Sequence, residues 1–209
     1  MDTGSRRTQK ERTDASRQAL LTAAHHLFGS LGYAGVGTER VAREAGLTRG
    51  ALYHQFADKT ELFAAVLEEV EAQIAVAMVA SVGDVDDPSD TAGMLIAGAN
   101  AFLDACADPH IQRIVLIDGP SVLGWERWRE ICLRHSVGRV AELLADGMRQ
   151  GTLAPAPIGP LTHVLVGAID EAALYISRSE DPELAREEIN EVLRRLGLAL
   201  TAAPAIATD

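Results

Sequence analysis

"TERVAREAGLTRGALYHQFADKTELF", residues 38–63, decides how the rest of the chain is read. Two short helical patterns meet at Gly46, a residue free to take the left-handed turn between them. Thr38 reads as the N-cap of a helix running to about Ala45, and Thr48 as the N-cap of a second running to about Gln55. Asp58 reads as a third cap, with Glu61 three residues on completing a capping box. Val41, Ala45, Leu47, Leu52 and Phe56 supply a small apolar core. Ala42, four residues ahead of the glycine, is small enough for the second helix to cross the first closely. Helix-turn-helix units are built this way.

The second helix turns Thr48, Arg49, Gly50, Tyr53 and His54 outward. A duplex major groove, about 12 Å wide, admits such a helix. Gly50 lets the backbone approach without a Cβ, and Arg49 can read a guanine edge or bind phosphate. Tyr53 and His54 can donate to phosphates or touch thymine methyls. Lys59, in the first turn of the next helix, can share a phosphate with that helix's N-terminus. A plain helical hairpin is the competing reading, because glycine-turn helix pairs are common and two cations are weak evidence. The charge pattern leans toward an anionic partner. The chain carries a net −11, yet residues 1–60 hold nine Lys/Arg against six Asp/Glu, and the remainder ten against 24. A basic front on an acidic body suits local attraction with repulsion elsewhere, although a solvated basic tail has the same composition.

The 209 residues are 47% apolar, 23% charged and 4% aromatic, as in a soluble helical protein. Residues 1–14 read as a disordered basic arm. From Ala15 to Ser30, Ala19, Leu20, Ala23, Leu27 and Phe28 recur at helical spacing until four glycines in nine residues, "GSLGYAGVG", break the pattern. A long helix from Asp58 to about Ala80 carries the stripe Leu62, Val66, Val70, Ile74 and Met78, with Glu68, Glu69 and Glu71 off it. After "GDVDDPSD" come helices near 89–107, 109–118, 124–150, 158–178 and 181–201, the last opened by Asp181-Pro182. No stretch alternates long enough for a strand, and no apolar run reaches the ~18 residues of a membrane span. Arg6-Arg7 lacks the apolar stretch of an export signal, so a cytoplasmic protein is expected. Cys106 and Cys132 lack metal-ligand or redox spacing and read as small buried apolar residues.

Residues 15–63 resemble the DNA-binding domain of the tetracycline-repressor (TetR) family of bacterial regulators. The resemblance rests on "RQALLTAAHHLFGSLGYAGVGTERVAREAGLTRGALYHQFADKTELFAAV", including the Phe28–Gly32–Tyr33 segment, Ala42-x-x-x-Gly46 and the "GALYHQFADKTELF" ending. It implies an all-α protein of about nine helices: a three-helix DNA-binding domain over 15–60 and an effector-binding and dimerisation domain over 61–209. It further implies a homodimer on a palindromic, double-stranded operator, repressing until a small molecule releases it. The positions that usually meet DNA in such proteins are Thr38, Thr48, Arg49, Gly50, Tyr53, His54 and Lys59.

In the body, "LIDGPSVLGWERWREI", residues 116–131, is the most distinctive stretch and resembles a segment in one subgroup of these regulators. Trp125 and Trp128 serve either as core anchors or as a pocket wall. Asn100 and Asp104 sit in one apolar helix, and His163, Asp170 and Glu171 in another; each needs a partner if buried. Together they suggest a pocket lined by Asn100, Phe102, Leu103, Trp128, His135 and His163. The helix over 158–178 is apolar on more than one face, and the helix over 181–201 carries the stripe Ala185, Ile189, Val192, Leu193, Leu196 and Leu200. Two such helices from each subunit would make a four-helix interface. Two-fold symmetry would then set the reading helices about 34–36 Å or more apart. No catalytic, metal or cofactor site is expected. His25 and His26 diverge by about 100° on a helix, and no hydrolase, zinc-protease or phosphate-loop pattern occurs. The rival is a helical-bundle protein that uses residues 38–56 to hold a protein partner.

Overall fold

The computed structural model describes residues 9–87 and 89–201. These form eleven α-helices and one π-helical turn, with no strand beyond a single backbone bridge between Leu153 and Thr201. The order is α1 (Gln9–Leu31), α2 (Thr38–Glu44), α3 (Arg49–Gln55), α4 (Lys59–Gly83), α5 (Thr91–Ala105) and α6 (Pro109–Gln112). A π-helical turn (Arg113–Asp118) leads into α7 (Gly119–Leu123), α8 (Trp125–Arg134), α9 (Ser136–Gln150), α10 (Ile158–Arg178) and α11 (Pro182–Leu200). The all-α architecture with an N-terminal helix-turn-helix and a helical C-terminal body is as expected.

Helices α1–α3 close over Leu20, Leu27, Phe28, Val36, Val41 and Leu52, all at most 3% exposed. Phe28 and Phe63 stack edge-to-face at 5.4 Å between ring centres, and Tyr33 completes the cluster. Phe63 belongs to α4, so the small N-terminal core is nailed to the helix that continues into the body. All five residues of the α4 stripe, Leu62 through Met78, are buried. Burying each aliphatic side chain contributes about 1.5–3 kcal/mol relative to exposure, so this seam joins the two halves strongly.

Several expectations are corrected. Residues 9–14 are not a disordered arm; they are the first turns of α1, while residues 1–8 lie outside the described residues. The stretch has no apolar repeat to read, but Gln, Lys, Glu and Arg are good helix formers and propagate the helix outward from its packed part. Gln55 Nε2 also donates to the Thr13 carbonyl at 3.3 Å, tying that turn to α3. Thr38 is inside α2, whose N-cap is Gly37. Asp58 does cap α4, accepting from Glu61 N at 2.8 Å, but the return bond of a capping box is missing because Glu61 binds Arg127 instead. Glu71 is not off the buried stripe; it is 1% exposed.

The helix expected over 109–118 runs on through Pro120. In the π-helical ladder the Val115 carbonyl would accept from residue 120, and proline has no N–H to give. The indole Nε1 of Trp128 supplies the donor at 2.8 Å, which leaves the carbonyl satisfied. The helix expected over 124–150 is broken at His135, whose φ −123° and ψ −104° are not helical. There α4 grips both sides of the break: His135 Nε2 bonds Glu68 at 3.1 Å, and Ser136 Oγ donates to Glu71 at 2.5 Å.

Candidate nucleic-acid interface and body cavity

The reading head is set by local bonds. Gly46 has φ +68°, a left-handed value that a side chain resists, and Leu47 N reaches back to the Ala42 carbonyl at 2.8 Å. Thr48 Oγ1 then accepts from Ala51 N at 3.1 Å and starts α3. Leu52 is the one buried residue of α3 and fixes its rotation. That leaves Thr48, Arg49, Gly50, Tyr53 and His54 exposed on one surface, with Thr38 of α2 half-buried beside them. A Cβ placed on Gly50 would meet only Thr48 Oγ1, at 3.8 Å. The chain's own packing therefore does not require glycine there, which leaves room for close approach from outside.

The outward side chains are tied to one another. Thr38 Oγ1 and the Tyr53 hydroxyl lie 3.2 Å apart. Arg49 donates to Glu39 at 2.8 Å and lies over the Tyr53 ring. The Thr38 bond, then Arg49, holds the Tyr53 phenol below its ordinary pKa. Glu39 is the residue that sequence reading missed; it lies ten positions from Arg49, across the turn, at no helical spacing. Lys59 is not poised at the helix end. Its Nζ donates to the Tyr33 carbonyl at 2.8 Å and sits 3.8 Å from that ring's centre, and burial lowers its pKa against the pull of Asp118.

The body holds a cavity of about 300 Å³ between α4, α5, α8, α9, α10 and α11. Of the six residues expected to line it, Phe102 and Trp128 do. Asn100 instead accepts from Arg186, which also pairs with Asp104 at 2.6 Å. Leu103 is packed in the core, His135 is held by Glu68, and His163 bonds the Gly159 carbonyl on an exposed face. Trp128 is buried, serving as both anchor and wall, whereas Trp125 is 61% exposed.

One end of the cavity is charged. Glu71 accepts from Ser136 and, at 3.4 Å, from Cys132. Arg129 pairs with Asp170 at 3.3 Å and lies over the Trp128 ring. Burial pushes Glu71 above the ordinary carboxyl range and Asp170 to about 6, the latter against Arg129's pull. Burial likewise raises the Cys106 thiol to about 12 and Cys132 higher still, which keeps both as inert thiols.

Three contacts tie the cavity helices to the start of α4 and to the head. Arg127, next to Trp128 on α8, makes a two-pronged pair with Glu61 in the first turn of α4, both bonds 2.8 Å. Arg113 of the π-helical turn donates to the Gly29 and Ser30 carbonyls at the end of α1. Asp118, closing that turn, accepts from Tyr33 N at 2.7 Å.

Two family patterns match this chain. Residues 20–66 match "Bacterial regulatory proteins, tetR family", and residues 92–200 match "Tetracyclin repressor-like, C-terminal domain". The chain belongs to the TetR family. It is a DNA-binding transcriptional regulator with a helix-turn-helix head and a C-terminal domain of the ligand-binding type. Among solved structures, a TetR-family regulator from Pectobacterium atrosepticum is 32% identical and superposes with a TM-score of 0.74, covering 95% of this chain and all of that one. The TetC protein of transposon Tn10 from Escherichia coli is 23% identical over 167 residues, 80% of this chain and 83% of its own. The HTH-type transcriptional regulator AcrR of Shigella flexneri is 37% identical, but over 68 residues, 32% of either chain. TetR-family proteins bind operator DNA, dimerise and bind small molecules. Among the described residues, no helix is long and apolar enough to cross a membrane.

Proposed function

We propose that this TetR-family protein works in the cytoplasm as a homodimeric repressor on a palindromic operator, released by a small molecule that enters the body cavity. Thr38, Thr48, Arg49, Gly50, Tyr53 and His54 form the DNA surface, with Lys59 reaching phosphate once it leaves Tyr33. The head comprises α1–α3 and the body begins along α4. The observation that carries this reading is the double role of α4. It walls the cavity through Glu71, Met78 and Val82, and near its other end Phe63 packs on Phe28 of the head while Glu61 is clasped by Arg127 of α8. A ligand that spreads the cavity walls tilts this one rigid element. Ligand and operator then oppose each other by the same coupling free energy, typically about 1–3 kcal/mol.

Dimerisation is proposed through α10 and α11. Val164 is 68% exposed, Tyr175 52%, Leu184 51% and Val192 49%, an apolar face too large to leave in water. Selection of duplexes from a random pool by the purified protein tests the whole reading. The expected result is an inverted repeat bound by two copies, with affinity falling steeply as salt rises. A protein partner held at residues 38–56 would show no such salt dependence, and a stable monomer without duplex preference would overturn the proposal.

A further inference from the structure

The charged end of the cavity has an imbalance that points to the kind of molecule it takes. Three ionisable side chains meet there, Glu71, Asp170 and Arg129; elsewhere on the wall Glu142 is paired with Arg139 and Asp146 with Arg149. Arg129 is already paired with Asp170. Glu71, 1% exposed, accepts from a hydroxyl and a thiol and has no cationic partner among the described residues. A buried carboxylate without an opposite charge is expensive, and two neutral donors only partly offset that. Two carboxyl groups thus face one guanidinium, and the one without a cation, Glu71, is the one that burial holds toward its acid form. An anionic ligand would add a third acidic group; a cationic one makes the balance even.

Three further features agree. Most of the remaining wall is apolar, with Met78, Val82, Leu95 and Phe102 among it, and its other charged members, Arg139, Glu142 and Asp146, are already held in ion pairs. The Phe102 ring lines the same space, and aromatic faces attract desolvated cations, as Arg129 over the Trp128 ring already illustrates. Residues 61–209 hold ten basic against 24 acidic side chains, so the field of the body draws cations in. Arg129 Nε, buried and without a hydrogen-bond partner, leaves room for a neutral acceptor such as a carbonyl on the ligand. At about 300 Å³ the cavity is at the small end of ligand sites, enough for one ring and a short chain.

We infer that the body cavity takes a small apolar amine, its ammonium set against Glu71 and its hydrocarbon part along α4 and α5. This assignment rests on the cavity being the effector site, as proposed above. Three probes of one shape test it: phenylbutylamine, phenylbutanol and phenylbutyrate, titrated calorimetrically into the full chain without DNA. The amine should bind roughly tenfold or more tightly than the alcohol, and the acid most weakly. In Glu71→Gln, which keeps an acceptor for Ser136 and Cys132, the amine should fall to the alcohol's affinity while the alcohol is unchanged. Equal or tighter binding of the acid, no binding of any probe, or an amine preference that survives in Glu71→Gln would overturn it. The order of the probes on the unaltered protein stands even if the variant misfolds. Operator release is scored separately. An amine held through Glu71 that leaves DNA bound sinks the regulatory reading and keeps the ligand class; an acid that alone binds and releases DNA does the reverse.

Discussion

The head and the body are made of the same material, amphipathic helices, yet they leave opposite things unfinished. In the head the core is closed. Leu20, Phe28, Val41 and Leu52 are fully or almost fully buried, and the polar side chains point outward and bind each other. In the body it is the interior that is open, with a cavity and buried ionisable groups at its wall. The contrast teaches where each half expects its partner. A closed core with a polar outer helix is shaped for something large and external; an open core with one unpaired charge is shaped for something small and internal.

The largest test of this contrast is a pair of truncations. Leu52→Ala removes the single residue that seats α3 and should cost about 2–5 kcal/mol in urea unfolding, with loss of duplex binding. Met94→Ala, at the half-buried cavity wall, should cost about 1 kcal/mol, because it enlarges a space that already exists. Equal costs would mean that the body is packed as tightly as the head. Next comes the outer surface. Arg49→Ala should weaken operator binding by roughly 5- to 150-fold in anisotropy titrations while leaving thermal stability nearly unchanged, since its pair with Glu39 is exposed. Glu39→Gln frees Arg49 and should instead leave operator affinity equal or tighter.

The smallest effect concerns Glu71 and pH. Cys132 and Ser136 bond it, while His135, Asp170 and Cys106 act on it or feel it from farther off. Burial raises its carboxyl above the ordinary 4.5. A group whose acid form is favoured in the folded chain contributes stability at low pH and loses it as pH rises through the raised value. Glutamine has no such dependence. Glu71→Gln should therefore gain on the parent as pH rises above the ordinary carboxyl value, read as a growing difference in urea midpoint. A difference that shrinks with rising pH would mean that Glu71 is charged and well served in the empty protein.

The head was largely legible because its signals are local. A glycine at a left-handed turn, a threonine cap at 48 and an aspartate cap at 58 act within three or four residues. The errors of outline there were the start of α1, where charged helix formers carry no apolar repeat, and the cap of α2, which is Gly37 and not Thr38. The cavity was legible only in part. Phe102 and Trp128 were anticipated from being large and apolar, but Asn100, Leu103, His135 and His163 were not at the wall. Their partners, Arg186 for Asn100 and Glu68 for His135, come from distant helices and were invisible to any spacing rule. Glu71 looked like one more solvated acid on a helix edge, since nothing nearby in sequence announces that Cys132 and Ser136 close over it.

The order of residues alone thus determined the helices, the turn at Gly46, the outward side chains of α3 and the family to which they belong. Those follow from hydrogen bonds and capping contacts spanning a single turn of chain. Tertiary structure decided which acids are buried, where Pro120 finds its compensating indole, how Arg127 clasps Glu61 and what shape the cavity has. Such features depend on groups well beyond helical spacing, 13 residues apart for Trp128 and Val115 and 61 for Glu71 and Cys132, meeting within a few ångströms, and periodicity along a chain carries no record of that.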